Sequence, residues 1–278
     1  MFPKTLMTVI GSEQDAASLN RAIELCGSTE CHLAVTVIGI ALAASSAAYG
    51  AIPADAWAQE REEGKQAANK QQEVVEAMLS QSGVSGDVCS YYCDEGQVAA
   101  VVGARARYAD LGLVYKSSDI DRRVANRSSE GFIYHSSKPF LVIPQGVAPK
   151  LAPKKAVVAW NATKEAARAV HLSLDMLKVA EEVRIVMIDP TAGEFDQGEE
   201  PGADVAAYLA RHGANVAVDA IPSSGRSISQ ALLRHANDVA AEMIVAGAYG
   251  HSRLREFLFG GTTRELLANE EIAVLMAH

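Results

Sequence analysis

Long apolar runs are missing from this chain: no uninterrupted stretch approaches the roughly 20 residues that a membrane-crossing helix needs. Dense runs of lysine or arginine are missing too, and 25 Lys and Arg against 34 Asp and Glu leave a formal charge of −9. A charge of that sign repels a phosphate backbone and an anionic bilayer alike, so neither nucleic acid nor a membrane is an expected partner. The sequence holds no G-x4-G-K-[S/T] run, the lysine-bearing phosphate loop of many ATP-hydrolysing enzymes, and no obvious acidic pair beside Gly250. Cysteine is scarce, and the four present, Cys26, Cys31, Cys89 and Cys93, lack metal-ligand spacing. Cys89 and Cys93 would share one face of a strand, which points to packing before chemistry. The opening residues MFPKTLMTVIGSEQD turn polar too soon for a secretory signal, and a cytoplasmic address is the expectation.

What is present is ordinary globular material: 49% hydrophobic and 21% charged residues. Its 278 residues exceed the commonest domain size and suit two domains. The first half alternates short β-rich apolar runs (TLMTVI, HLAVTVIGI, GDVCSYYCD, LGLVYK, PFLVIP) with segments of helical period, the longest spanning residues 54–83. Continuous Val, Ile and Leu runs of this kind suit parallel strands covered on both faces, which predicts a doubly wound α/β sheet. Residues 145–155, QGVAPKLAPKK, read as a linker. The order then restarts with KAVVAW, EVRIVMID, ANVAVDAI, AEMIVAGA and AVLMAH, again separated by helical segments. The expected organisation is a tandem duplication, residues 1–147 and residues 153–278, repeated in architecture more than in residue identity.

In the second half, Gly247 ends the fourth strand, Gly250 follows after two residues, and Gly260 and Gly261 precede the helix-compatible TTRELLAN. Ligands of open α/β sheets settle outside the carboxyl ends of the strands. Glycines there let backbone N–H groups approach a ligand closely, and a helix N-terminus favours an anion. The bland alternative is that these glycines merely turn the chain; the whole spacing after a fourth strand favours phosphate cradling. His251 and Arg253 flank the glycines and offer positive charge, whereas Arg255 and Arg264 read as solvated surface.

With the spacing G-x2-G-x9-G at Gly247, Gly250 and Gly260, the chain resembles the universal stress protein family, in its tandem two-domain form. The likeness in element order covers essentially the whole chain, but the glycine motif is met only in the second half, and Gly261 stands where the family pattern has Ser or Thr. The resemblance implies two tandem five-stranded sheets of order 3-2-1-4-5 and pairing of the two halves through their fifth strands. It also implies an adenine nucleotide lying over strands 1 and 4. Carried over residue by residue, Asn161 occupies the place of an Asp, Met187 meets adenine through its backbone, and Ala246 and Gly247 lie beneath the nucleoside. Gly250, Gly260, Gly261 and Thr262 surround the phosphates, with Thr263 a further hydroxyl. Asn161 could equally cap the following helix.

The corresponding stretch of the first half, VYKSSDIDRRVANRSSEGF, puts Tyr115 at the first glycine position and Ser128 and Ser129 near the later ones. A degenerate first domain without family-type ATP binding is therefore expected. The functional expectation is a stress-response regulator that binds ATP or AMP in its second domain, with Mg2+ and a homodimer left open, and whose protein partner is unknown. Slow ATP hydrolysis and a nucleotide-independent scaffold remain competing readings.

Overall fold

The computed structural model of the chain describes residues 2–13, 17–41, 54–116, 122–191, 200–248 and 261–278. It divides into two compact units, Pro3–Lys138 and Pro139–His278.

The first unit runs β1 (Thr5–Gly11), α1 (Ala17–Thr29), β2 (His32–Ile40), α2 (Ala54–Ser82), β3 (Gly86–Cys93), α3 (Glu95–Ala106), β4 (Leu111–Tyr115) and α4 (Arg122–Glu130). Its strands lie in the order β3-β2-β1-β4, each neighbouring pair parallel. The apolar runs become strands because both faces are covered: β1 is buried from Leu6 to Gly11, and β4 throughout. Helix α2 turns Ala68, Val75 and Leu79 inward at helical spacing and exposes most of its remainder. All four cysteines are free thiols, with Cys26, Cys31 and Cys93 buried. Burial pushes the Cys26 thiol up to about 12.

The second unit opens with β5 (Phe140–Ile143) and continues β6 (Lys155–Ala159), α5 (Lys164–Leu177), β7 (Glu182–Ile188), α6 (Ala203–Arg211), β8 (Val216–Ile221), α7 (Ile228–Asp238), β9 (Met243–Gly247), α8 (Gly261–Ala268) and β10 (Ala273–Ala277). Its order is β5-β10-β9-β6-β7-β8, so β6 to β10 follow the 3-2-1-4-5 arrangement with parallel pairs throughout. The two segments expected to pair as fifth strands do so: β5 runs antiparallel to β10, with Leu141 opposite Leu275. Each thereby covers an edge that would otherwise expose unpaired N–H and C=O groups.

Two details depart from the sequence reading. In the stretch that corresponds to the glycine motif, α4 (Arg122–Glu130) forms and passes into a π-helical turn, Gly131–Ser136. Its polar composition conceals a buried stripe, Val124, Ser128 and Phe132, at four-residue spacing. Of the expected linker 145–155, residues 145–154 carry no strand or helix, yet Leu151 is buried, and Lys155 already belongs to β6. Among the described residues no helix is long and apolar enough to cross a membrane.

Candidate functional site

The expected site residues belong to the second unit, at the carboxyl ends of β6, β7 and β9 and the start of α8. Gly250, His251, Arg253 and Gly260 lie outside the described residues.

The β6 end is shaped by the entry into α5. Trp160 extends the pairing of β6, its N–H donating to the Val186 carbonyl at 3.0 Å. Ala162 then takes a left-handed conformation (φ 57°), and Thr163 caps α5, its Oγ1 accepting from the Ala166 N–H at 3.3 Å. Asn161 is exposed, and its Oδ1 accepts from the Thr163 hydroxyl at 2.8 Å and from the Thr163 N–H at 3.4 Å. The cap is therefore Thr163, and Asn161 forms a side-chain turn that orients it. The Asn161 amide nitrogen is the donor left to face a ligand.

At the end of β9, Ala246 is buried and sits opposite Ala159 of β6 and Met276 of β10, and Gly247 sits opposite Ala277. A Cβ on Gly247 would lie 2.5 Å from the Ala166 nitrogen and 2.6 Å from the Glu165 carbonyl carbon. Backbone atoms cannot swing aside as a flexible side chain can, so the approach of the first turn of α5 demands glycine here. Glu165 itself is buried in that turn, where its acid suits the positive end of the helix. Beyond Gly247, the Ala248 N–H donates to the Ala277 carbonyl at 2.8 Å, and His278 Nδ1 donates to the Ala248 carbonyl at 2.9 Å.

Met187 is buried in β7 opposite Ala220, and its thioether lies under Gly202 at the entry of α6. Its backbone is thus fixed one residue from the end of the strand. Asp189, which sequence reasoning passed over, follows in a left-handed conformation (φ 47°), and its Oδ1 accepts from the Ser223 N–H at 3.0 Å. The hydroxyl and N–H of Ser223 together hold its carboxyl below the usual carboxylate range. The run IDP, ending a strand before a proline, was the available signal.

Helix α8 starts at Gly261, which is exposed; among the described residues a Cβ added there meets nothing within 4 Å, in contrast to Gly247. Thr262 is half-buried and Thr263 is buried together with Leu266, three residues on, so these two fix which face of α8 turns inward. Glu265 points to α7, where its Oε2 accepts from the Ser227 hydroxyl at 2.7 Å and also from the Ser229 hydroxyl. Those two hydrogen bonds keep the Glu265 carboxyl below its ordinary range. At the far end, Asn269 closes the helix: its Nδ2 donates to the Ile272 carbonyl at 2.9 Å and its Oδ1 accepts from the Ile272 N–H at 3.0 Å.

The strand layout thus brings Asn161, Met187, Ala246 and Gly247 to one end of the sheet, while Gly261, Thr262 and Thr263 form the first turn of α8. Among the described residues there is no group of three or more His, Cys, Asp or Glu that could hold a metal ion.

Residues 153–278 match the model of the Universal stress protein family. Over 114 residues, 41% of this chain and 67% of the other, the sequence is 27% identical to the Stress response protein NhaX of Bacillus subtilis (strain 168). The fold is similar to that of a universal stress protein from Archaeoglobus fulgidus DSM 4304, with a TM-score of 0.65, 15% identity, and 98% of this chain and 95% of that one covered. A functionally unknown protein from Pseudomonas aeruginosa PAO1 is similar over 99% of this chain and 92% of its own, with a TM-score of 0.58 and 16% identity.

Proposed function

We propose, from the match of residues 153–278 to the model of the Universal stress protein family, that the second half of the chain binds an adenine nucleotide, ATP or AMP. The observation that carries this reading is a coincidence of position: the G-x2-G-x9-G spacing of Gly247, Gly250 and Gly260 falls within the matched residues 153–278. In the proposed site the nucleoside rests on Ala246 and Gly247, with the backbone of Met187 beside the base and the Asn161 amide donating to it or to a ribose hydroxyl. Gly250, Gly260, Gly261, Thr262 and Thr263 surround the phosphates, and His251 and Arg253 add positive charge. The partial positive charge at the N-terminus of α8 suits it to phosphate oxygens. Mg2+ would accompany ATP and offset part of its phosphate charge.

The domain residues 1–147 form the silent partner of the nucleotide-binding domain, residues 153–278, in a cytoplasmic stress-response switch. Nucleotide shifts the arrangement or the contacts of a protein partner only to the extent that two states bind it with different affinity. A second reading, a scaffold that needs no nucleotide, is favoured by one observation: the Asn161 carbonyl oxygen is already engaged by Thr163.

Calorimetric titration of the intact chain with ATP and with AMP, beside a Gly250→Glu variant, tests the reading. One site per chain in the parent and none in the variant is the expected outcome. A parent that binds neither nucleotide removes the switch and leaves the scaffold.

A further inference from the structure

Where the chain enters β3, a serine, a histidine and an aspartate of the first unit join in one run of hydrogen bonds. Helix α2 ends at Ser82, and Gly83 turns the backbone in a left-handed conformation (φ 70°). Ser85 and Asp87 follow, two apart, and residues so spaced on an extended chain share a face. His32, the first residue of β2, lies beside them: its Nδ1 is 2.8 Å from the Ser85 hydroxyl oxygen and its Nε2 is 2.8 Å from Asp87 Oδ1. The second Asp87 oxygen accepts from the Arg105 guanidinium at 3.1 Å. These contacts fix the tautomer. A carboxylate only accepts, so Nε2 carries the ring proton, and in the neutral imidazole Nδ1 is left to accept from the hydroxyl.

The backbone adds a donor next to the serine. The Ser85 carbonyl faces β2, where it accepts from the Leu33 N–H at 2.9 Å. Across a trans peptide the following N–H points the opposite way, and among the described residues no peptide bond is cis. Because β3 is the end strand of the order β3-β2-β1-β4, the Gly86 N–H is directed away from β2 and off that edge, next to an exposed Ser85. The second unit lacks these parts. There Arg184 stands opposite Ala217, which lies two residues before Asp219; an arginine does not give up its proton and an alanine has no hydroxyl.

We propose that Ser85, His32 and Asp87 form an acyl-transfer site for small carboxylic esters with a good leaving group, Ser85 being the nucleophile and His32 the base. The Ser85 oxygen bonds to the ester carbonyl carbon as its proton passes to His32 Nδ1. The carbonyl oxygen, now negative, accepts from the Gly86 N–H, the residue after the nucleophile. Collapse breaks the bond to the leaving oxygen, which takes the proton back from His32. Water then repeats the sequence on the acyl-serine and restores the hydroxyl, so one ester and one water give one acid and one alcohol. Asp87 is a positioning residue that holds His32 in the required tautomer and stabilises its charged form. The His32 side chain is 35% exposed and that of Asp87 50%, so the site is wet and its turnover slow. None of these residues belongs to the half that carries the nucleotide reading.

The test treats the full chain with an alkyl fluorophosphonate, which bonds to an activated serine with loss of fluoride, and locates the label by peptide mass spectrometry. Label on Ser85 is expected, together with release of nitrophenolate from p-nitrophenyl acetate that falls to background in Ser85→Ala. His32→Gln should slow labelling by about 100-fold or more. Ser90→Ala, which removes a hydroxyl bonded to Asn69 at 2.9 Å, should leave labelling unchanged. Asp87→Asn should lower the maximal labelling rate and leave the half-saturating probe concentration alone, a split that mere loosening of the sheet edge would not produce. Absence of label on Ser85, label there that persists undiminished in His32→Gln, or equal ester hydrolysis by the parent and Ser85→Ala overturns the proposal. Labelling of Asp87→Asn at the parent's rate overturns the role given to Asp87.

Discussion

Tyr115 and Gly247 hold the same place in the two units, the last residue of the fourth strand, and they solve opposite packing problems. At Gly247 the first turn of α5 comes so near that a Cβ would sit 2.5 Å from a backbone nitrogen. At Tyr115 a whole phenol ring is accommodated at 3% exposure, with the Arg21 guanidinium of α1 5.7 Å from its centre. The ring therefore packs toward α1, on the side where α5 closes on β9 in the other unit. From sequence the tyrosine reads as an obstruction to a ligand; the structure shows it filling the space between strand and helix. Burial raises its pKa above the ordinary phenol value, and its hydroxyl finds no partner among the described residues. Ser128 and Ser129, near the later glycine positions, donate to the Val124 and Ala125 carbonyls of their own helix, at 2.7 and 3.0 Å. The lesson is that a position can keep its place in a duplicated architecture while its side chain moves from one task to another.

A second pair of equivalents keeps its task and exchanges its parts. In the first unit, Asp87 on the third strand meets His32 of the second strand at 2.8 Å and Arg105 of α3 at 3.1 Å. In the second unit, Asp219 on the third strand meets Arg184 of the second strand at 2.6 and 2.8 Å and His235 of α7 at 2.9 Å. The register is the same in both: each strand partner, His32 or Arg184, lies two residues before the residue opposite its Asp, Ala34 for Asp87 and Val186 for Asp219. Arginine and histidine have traded strand for helix around a constant carboxylate. Exposure separates them, since the Asp219 side chain is 15% exposed and that of Asp87 50%.

The largest effect should come from forcing one unit to carry the other's side chain. Gly247→Val drives a branched carbon into the α5 backbone and should destabilise the second unit by about 2–4 kcal/mol, read as a lower denaturation midpoint. A wild-type midpoint would mean that α5 can withdraw, and the contrast with Tyr115 would lose its basis. Next, Asp219→Ala removes one of the two carboxylates of a part-buried Arg184, which keeps Glu182, and should cost about 1.5–3 kcal/mol, whereas Asp87→Ala breaks a half-exposed contact worth about 1 kcal/mol or less. Equal losses from the two would show that exposure does not set their worth.

Asp219 also makes a pH prediction. Hydrogen bonds from Arg184, then from His235, hold its pKa below the ordinary carboxylate value. The unfolded chain therefore takes up this proton first as pH falls, so its contribution is complete above the ordinary carboxylate pKa. It is lost as pH drops toward the lower folded value. Stability measured between neutral pH and pH 3 should fall less steeply in Asp219→Asn than in the parent; parallel curves would contradict the assignment.

Tyr115→Phe, smaller again, removes the unpartnered hydroxyl and should leave stability unchanged or raise it by up to about 1 kcal/mol. A loss of that size would reveal a hydrogen bond to that hydroxyl. Last, Gly261→Ser meets no neighbour among the described residues, so stability should hold within about 0.5 kcal/mol, while the restored hydroxyl should raise nucleotide affinity a few-fold in calorimetry. A stability loss above that margin would show that 261 is as constrained as 247.

Much of the arrangement was legible in advance because it rests on local periodicity. The apolar runs marked the strands, their repetition marked the second run of strands, and Gly247 marked the end of the fourth of these. Helix α4 escaped notice because its buried stripe uses a serine among charged neighbours. Thr163 went unremarked as a cap because Asn161 two residues earlier offered the same chemistry, and only the geometry of the turn decides which oxygen reaches the helix N–H. Glu265 drew no reading because its partners, Ser227 and Ser229, lie nearly forty residues away in the chain.

By itself, then, the sequence determined the element order, the parallel character of the sheets and the half of the chain that carries the glycine spacing. These follow from hydrophobic alternation and chain stereochemistry acting over a few residues. Only the tertiary structure decided that Gly247 serves a helix contact, that Gly261 meets no neighbour among the described residues, that Tyr115 fills its own unit, and that an Asp on each third strand gathers an arginine and a histidine. Those outcomes depend on distances between segments remote in the chain, which are set by how helices settle on a sheet and are written in no single stretch of residues.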